Sequence, residues 1–266
     1  MTRQMAAPLT AVDSLDPNVG DRPSVALDQV TKRYLGDNEL LALDGISLVV
    51  RPGEFLTLVG ASGCGKSTLL NLVSGLDRPN SGSVEVVGHA AFLFQEHALF
   101  PWLSALDNVA TPLRLRGVGR KDREAQAREY LAAVHLSGFA DRRPHELSGG
   151  MKQRVAIART LATRAPVLLM DEPFGALDAM TRDLLHDELE SIWRERGLTV
   201  LFVTHNVREA VRLGDRVVLL SSRPGRIVAE YDVAIDRPRR IEDRVVSELA
   251  GQITDALRKE VARHGA

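Results

Sequence analysis

The residues from Gly60 to Ser67 combine glycines, a lysine and a serine in an order that suits phosphate binding. They read Gly60-Ala-Ser-Gly-Cys-Gly-Lys-Ser67 and fit the pattern G-x-x-x-x-G-K-[ST]. Glycines allow backbone N–H groups to converge on phosphate oxygens, and a following helix N-terminus adds partial positive charge. In such a loop Lys66 reaches the β- and γ-phosphates of a nucleotide and Ser67 ligates Mg²⁺. The predicted nucleotide-binding residues here are Gly60, Ser62, Gly63, Cys64, Gly65, Lys66, Ser67 and Thr68.

The alternative for this segment is an ordinary glycine-rich turn whose lysine is solvated. The flanking sequence disfavours it, because a buried strand is predicted over Phe55–Val59 and a helix over Lys66–Ser74, which is the context the pattern requires. Cys64 is interpreted as a small residue that fits the loop, because nothing nearby in the sequence would activate its thiol.

Two carboxylates, Asp171 and Glu172, follow directly on the apolar run Val167–Met170. Ligands bind at the carboxyl ends of strands in open α/β sheets, so a strand here delivers both acids to that edge. We expect Asp171 to hold Mg²⁺ through its water shell and Glu172 to act as general base toward a water molecule. The alternative, a solvated acidic turn before Pro173, is weakened because a phosphate loop requires such acidic partners.

The elements that must position these residues alternate between strands and helices, as a parallel α/β sheet requires. Two shorter β-patterned runs precede the loop and suggest an antiparallel edge, and the region 99–163 is predicted to be helical. The later strands are predicted at Val167–Met170, Thr199–Val203 and Val217–Leu220, and the later helices at Met180–Glu195 and Val207–Leu213.

Composition limits the classes of function. The 266 residues carry 34 basic and 35 acidic side chains, a net charge of -1, which gives no strong field for nucleic acid or an anionic membrane surface. One cysteine excludes an intramolecular disulfide framework and a cysteine zinc site, and is typical of the reducing cytosol. The apolar runs are far shorter than the roughly 20 residues of a membrane-spanning helix. We expect a disordered leader over 1–23, an ATPase domain over 24–235 and a tail over 236–266 with a helix at Ile241–Val261.

One further segment distinguishes among nucleotide-hydrolysing families. Leu147-Ser-Gly-Gly-Met-Lys-Gln-Arg154 resembles the signature motif of ATP-binding cassette (ABC) proteins, and the resemblance covers about Val25 to Tyr231. Ser148, Gly149 and Gly150 would open a helix over Met151–Thr163 and form a second anion site. A plain serine N-cap explains the helix start but not the whole motif. The resemblance implies a homodimer in which the signature of one subunit closes over ATP held by the other's phosphate loop.

The resemblance also assigns roles to isolated residues whose ordinary roles would be structural. Tyr34 matches the aromatic residue that stacks on adenine, and Gln95 matches the glutamine that reaches Mg²⁺ and links two lobes. Asp178 matches an aspartate that contacts the partner subunit, and His205 matches the histidine that senses the γ-phosphate. Asn206 stands where the family more usually has aspartate. The implied fold is a P-loop NTPase (RecA-like) α/β core with an antiparallel β lobe and a helical signature lobe.

Three segments resemble the importer branch that serves nitrate, sulfonates and taurine: Phe94–Trp102, Asp171–Ala179 and Ser222–Ile227. That branch implies two permease subunits in the membrane, a solute-binding protein outside it, and an ATPase on the cytoplasmic face. Pro101-Trp102 lies where the permease docks in such systems, although core packing is the commoner role of tryptophan.

The alternatives to this importer are a non-transport cassette ATPase acting on DNA or ribosomes, a nucleotide-binding regulator without turnover, an exporter with a separate membrane half, and an importer of another small organic solute. Long coiled-coil insertions or paired cassettes, usual in the first class, are missing from the sequence. Glu172 and His205 disfavour the second, and Pro101-Trp102 favours import over export.

Overall fold

The computed structural model describes residues 22–35, 39–175 and 177–264. The predicted leader lies outside these ranges except for its last two residues. The strands are β1 (Val25–Tyr34), β2 (Leu40–Val50), β3 (Phe55–Val59), β4 (Ser81–Val86), β5 (Ala90–Leu93), β6 (Val167–Asp171), β7 (Thr199–Val203), β8 (Arg216–Leu220) and β9 (Ile227–Asp232). The α-helices are α1 (Lys66–Val73), α2 (Ala105–Leu115), α3 (Arg120–Ala133), α4 (Gly149–Leu161), α5 (Ala179–Arg196), α6 (Val207–Leu213) and α7 (Arg244–His264).

The central sheet has the strand order β5-β6-β7-β3-β8-β9. Its strands are parallel except for β9, which pairs antiparallel with β8. Every residue of β3, β6 and β7 is buried, because helices or the second sheet cover both faces. This burial explains why continuous apolar runs predicted β3 and β7 with their observed bounds.

A second sheet, in the order β2-β1-β4, is antiparallel and forms the predicted β lobe. β1 and β2 are longer than the apolar runs suggested. Their outer halves continue the backbone pairing with an irregular register, so the residues there do not follow an alternating apolar pattern. β9 was not predicted as a strand. Its alternating half-buried and exposed residues belong to an edge strand, whose pattern is weaker than that of a buried one.

The β lobe is fixed to the central sheet at the turn between β8 and β9. Gly225 donates its N–H to Ala42 O (2.9 Å) and accepts from Asp44 N (3.0 Å), so it pairs with β2. A Cβ on Gly225 would lie 2.2 Å from Cys64 O, inside the glycine-rich loop. Gly225 therefore joins the lobe, the loop and the sheet at a place where no side chain fits.

The helical region predicted over 99–163 contains α2, α3 and α4, which pack together in one apolar cluster with the sheet. α4 begins at Gly149 rather than at the predicted Met151, because Ser148 caps the helix and the glycines form its first turn. The predicted C-terminal helix is α7, and Val246, Ala250 and Ile253 pack against α6 and β8. Among the described helices, none is both long and apolar enough to cross a membrane.

The close approach at Gly225 predicts a stability difference between two glycines. Gly225→Ala should lower the free energy of unfolding by about 1–3 kcal/mol, because the methyl group collides with backbone atoms. Gly251→Ala, in an open position of α7, should raise it by about 0.5–1 kcal/mol through helix propensity. Urea denaturation followed by circular dichroism measures both, and equal effects would show that Gly225 is not sterically constrained.

Candidate nucleotide-binding site

A cavity of about 470 Å³ lies at the carboxyl ends of the parallel strands. Each of these strands is followed by a segment that contributes to it, as expected for ligand sites in open α/β sheets. The predicted residues that line the cavity are Tyr34, Ser62, Gly63, Gly65, Lys66, Ser67, Thr68, Gln95, Asp171, Glu172 and His205. The fold thus brings together residues that lie up to 171 positions apart in the sequence, from Tyr34 to His205.

The loop between β3 and α1 has a backbone that only glycine adopts easily at two positions. Gly63 and Gly65 have φ of 73° and 100°, in the left-handed region. A Cβ on Gly65 would also lie 2.9 Å from Ala42 O. α1 begins at the next residue, so its free N–H groups face the cavity. Lys66 is buried, and its ammonium group donates to the carbonyls of Gly60 (2.9 Å) and Ala61 (3.0 Å).

Gly60 and Cys64 do not line the cavity but lie beneath it. Cys64 is 1% exposed, and a Cβ on Gly60 would meet its Sγ at 2.7 Å. Burial raises the pKa of the Cys64 thiol, although the nearby Lys66 ammonium group opposes that rise. The thiol is therefore neutral and fills space under the loop, as the sequence interpretation proposed.

Asp171, the last residue of β6, is buried beside the first turn of α1. Burial raises the pKa of its carboxyl group, and a hydrogen bond from Ser67 partly offsets the rise. Together with the Gln95 side chain these groups offer hydroxyl, carboxylate and amide oxygens, the ligands that Mg²⁺ prefers. Among the described residues no cluster of three or more His, Cys, Asp or Glu side chains is placed to hold a metal ion. The donor set fits an ion that takes most of its ligands from phosphate and water.

Glu172 and His205 form a pair at the edge of the cavity. Glu172 Oε2 lies 2.9 Å from His205 Nδ1, and the imidazole is largely exposed. Glu172 has φ of 46°, a conformation that a non-glycine residue adopts only when its surroundings impose it. Its N–H donates to Val203 O (2.9 Å), which continues the pairing of β6 with β7 by one residue. A carboxylate held in this way can accept a proton from water, and the imidazole can orient it.

A buried network supports this pair from behind, and the sequence analysis missed it. Thr204 Oγ1 donates a short hydrogen bond to Glu209 of α6, whose other carboxylate oxygen lies 2.8 Å from His186 Nε2 on α5. Phe174, two residues after Glu172, packs edge-on against the His186 ring at 4.8 Å. The network therefore connects the segment after Glu172 with the end of β7.

The asparagine that departs from the family pattern has a structural role here. Asn206 Oδ1 accepts from Arg208 N (3.1 Å) and Glu209 N (3.3 Å), so it caps α6. Its own N–H donates to Thr204 Oγ1 (3.0 Å). Asparagine and aspartate are both good N-caps, so the helix start is preserved.

The signature residues Ser148, Gly149 and Gly150 and the loop residue Asp178 do not line the cavity. Ser148 accepts from Met151 N (3.3 Å) at the start of α4, and Asp178 accepts from Thr181 N (2.9 Å) at the start of α5. Both therefore act as N-caps within the subunit, while the glycines leave the N-terminus of α4 accessible.

Three residues of the cavity were not predicted: Leu40, Ala42 and Arg223. Arg223 lies in the turn after β8 and donates from Nε to Gly63 O (3.2 Å). In the sequence, this turn is distinctive only through its resemblance to the importer branch. The signal available in the sequence was a positively charged residue three positions after a parallel strand, at the same sheet edge as the phosphate loop.

Comparison with known proteins identifies related sequences and structures. The family model described as ABC transporter matches residues 43–175. The taurine import ATP-binding protein TauB of Chromobacterium violaceum is 52% identical over 228 residues, which cover 83% of this chain and 87% of that protein. The bicarbonate transport ATP-binding protein CmpC of Synechococcus elongatus is 47% identical over 234 residues, which cover 83% of this chain but only 35% of that protein.

Among solved structures, a dimeric ATP-binding cassette in a post-hydrolysis state, bound to ADP and Pi, has a TM-score of 0.72 and 35% sequence identity. The match covers 80% of this chain and 100% of that one. The fold predicted from the sequence, an α/β P-loop core with an antiparallel β lobe and a helical lobe, is thereby confirmed.

The buried network predicts a cost for removing one hydroxyl group. Thr204→Val should lower the free energy of unfolding by about 1–3 kcal/mol, because it leaves a buried carboxylate oxygen of Glu209 without its partner. The control Thr111→Val removes a more exposed hydroxyl from α2 and should cost less than about 0.5 kcal/mol. Denaturant unfolding of both variants measures the difference, and a neutral Thr204→Val would refute the supporting role of the network.

Proposed function

This chain belongs to the ABC transporter family and is an ATPase, and we propose that it powers the import of a small anion or organosulfur solute, such as an aliphatic sulfonate, taurine or nitrate, through a separate membrane permease. The observation that carries the proposal is the convergence of the phosphate loop, Asp171 and the Glu172–His205 pair on one cavity. Such a cavity has the parts needed to bind a nucleoside triphosphate and to activate water beside it.

In the proposed site, the backbone N–H groups of the loop and Lys66 bind the phosphates of ATP. The two carbonyls that hold the Lys66 ammonium group fix its position at the bottom of the cavity. Tyr34 also lines the cavity and is 38% exposed, so its ring is available to stack on adenine. Ser67, Gln95 and Asp171 hold Mg²⁺, which when bound neutralises phosphate charge.

Glu172 is the proposed general base. Its carboxylate takes a proton from the attacking water, and His205 orients that carboxylate through the 2.9 Å contact between Oε2 and Nδ1. With Nδ1–H donating to the Glu172 carboxylate, the exposed Nε2 of His205 can donate toward the γ-phosphate in the imidazolium form. Glu172 and His205 follow the ends of two neighbouring parallel strands by one and two residues, so the pairing of β6 with β7 brings them close together.

The complete site is proposed to form between two copies of the chain. Ser148, Gly149 and Gly150 present a helix N-terminus that no phosphate loop of the same chain approaches, and Asp178 lies outside the cavity as well. A head-to-tail homodimer places these groups over ATP bound to the partner. The related cassette of known structure is dimeric, which supports this arrangement.

Import is supported by the names of the relatives, which act in taurine import and bicarbonate transport. In such a system the ATPase never contacts the solute, which a solute-binding protein delivers to the permease. The proposed place of this chain is the cytoplasmic face of the membrane, as a peripheral subunit.

The proposed permease contact is the segment from Phe100 to Ser104. Trp102 is 68% exposed and packs beside Phe100, with ring centroids 5.7 Å apart. Asn108, fully buried, holds the segment rigid: its side chain accepts from Phe100 N (2.8 Å) and donates to the carbonyls of Phe100, Leu103 and Ser104. A rigid loop that presents an exposed tryptophan is typical of a binding anchor.

Removing the general base tests the catalytic proposal. Glu172→Gln should retain ATP binding and lower the turnover number by about 10²–10⁴-fold, because the amide cannot accept a proton from water. Phosphate release and equilibrium ATP binding are measured on the purified chain, with the exposed Glu85→Gln of β4 as control. Normal hydrolysis by Glu172→Gln would remove Glu172 from the mechanism. Gel filtration with ATP should show the same variant as a dimer.

Substituting the exposed tryptophan tests the transport proposal. Trp102→Ala should leave the ATPase activity of the isolated subunit within about twofold but reduce its affinity for the permease by about tenfold or more, because buried aromatic anchors dominate interfaces. Co-purification with the cognate permease and solute uptake are the measurements. The control is Leu76→Ala, another exposed apolar residue. Unchanged uptake with Trp102→Ala would exclude Trp102 as the anchor.

A further inference from the structure

The turn between β8 and β9 is a rigid part of the cavity wall. Its ends are joined by a backbone hydrogen bond from Ser221 N to Arg226 O (2.8 Å). The Ser221 hydroxyl accepts from Arg226 N (2.8 Å) and donates to Pro224 O (2.6 Å). Gly225 is buried against β2 and the glycine-rich loop. These contacts fix the backbone position of residue 223 at the tip of the turn.

The side chain of Arg223 lies against the glycine-rich loop. Its Nε donates to Gly63 O (3.2 Å), and its Nη2 would lie 2.5 Å from a Cβ on Gly63. The guanidinium group thus occupies the space that the missing side chain of Gly63 leaves open. It lines the same cavity as Lys66 and Tyr34.

Arg226 lies in the same turn as Arg223 but, unlike it, forms an ion pair within the described residues. The Arg226 guanidinium pairs with the Asp44 carboxylate, which neutralises its charge at the surface. In the described part of the chain no carboxylate forms an ion pair with Arg223, and only one of the five N–H donors of its guanidinium has a partner there. Arg223 therefore brings uncompensated positive charge and free donors to the cavity.

We propose that Arg223 is a nucleotide-binding residue that contacts the phosphate chain of ATP from the turn between β8 and β9. The inference rests on the proposed binding of ATP in this cavity and adds a second cation to it. Guanidinium remains charged at any physiological pH and donates two parallel hydrogen bonds to phosphate oxygens, which an ammonium group cannot do. Placed over Gly63, it lies beside the loop where the phosphates bind.

The test compares Arg223→Gln with the matched control Arg226→Gln. Each variant removes one positive charge from the same turn, and glutamine at residue 223 can still donate to Gly63 O. Isothermal titration with ATP and Mg²⁺ should show that Arg223→Gln weakens binding about tenfold, as expected for a charged hydrogen bond. Arg226→Gln should change affinity less than about twofold, because exposed ion pairs contribute little. Thermal unfolding verifies that both variants are folded.

Inorganic triphosphate as a competitor identifies the part of the nucleotide that is recognised. Its inhibition constant against ATP hydrolysis should rise for Arg223→Gln by a factor similar to the loss of ATP affinity. If ATP affinity falls while triphosphate inhibition is unchanged, Arg223 contacts the nucleoside and the proposal is wrong. Wild-type ATP affinity in Arg223→Gln would also overturn it. Failure of the unmodified chain to bind ATP would instead refute the proposed function on which the inference rests.

Discussion

The site depends on the parallel register of β6 and β7. Asp171 pairs with Val203, and Glu172 extends that pairing with a hydrogen bond to Val203 O. The two strands therefore end at the same edge of the sheet. Glu172 follows β6 directly and His205 is the second residue after β7, and their side chains come into contact. A shift of register by one residue would reverse the direction of the side chains and separate the pair. β3 also pairs in parallel with β7, so the glycine-rich loop that follows β3 begins at the same edge of the sheet.

The sequence alone predicts those parts of the site that depend on residues close together in the chain. The spacing of glycines, lysine and serine in one loop encodes its backbone conformation, and buried parallel strands are continuous apolar runs, so Phe55–Val59 and Thr199–Val203 had their observed bounds. Tyr34 and Gln95 could not be predicted from such local patterns. They were found through resemblance to a family, because an isolated tyrosine or glutamine has no local pattern.

The residues that were missed share a different property, since their roles exist only after distant segments meet. His186 and Glu209 belong to helices whose sequences predict nothing about their mutual contact, yet they form the support behind His205. Arg223 could not be recognised as a site residue from the sequence, because a surface arginine in a turn is usually solvated. Its role depends on Gly225, which lets the turn approach the loop closely. Tertiary packing, rather than propensity, decides such contacts.

The contact at Gly225 has a thermodynamic consequence for the β lobe. Tyr34 belongs to this lobe, and the phosphate loop belongs to the central sheet. Backbone atoms of both meet at Gly225 without intervening side chains that could adjust, and closely packed groups do not deform independently. A ligand that contacts both Tyr34 and the phosphate loop therefore favours one orientation of the β lobe relative to the central sheet. By linkage, whatever restrains the lobe in that orientation strengthens the binding of the ligand to the same degree.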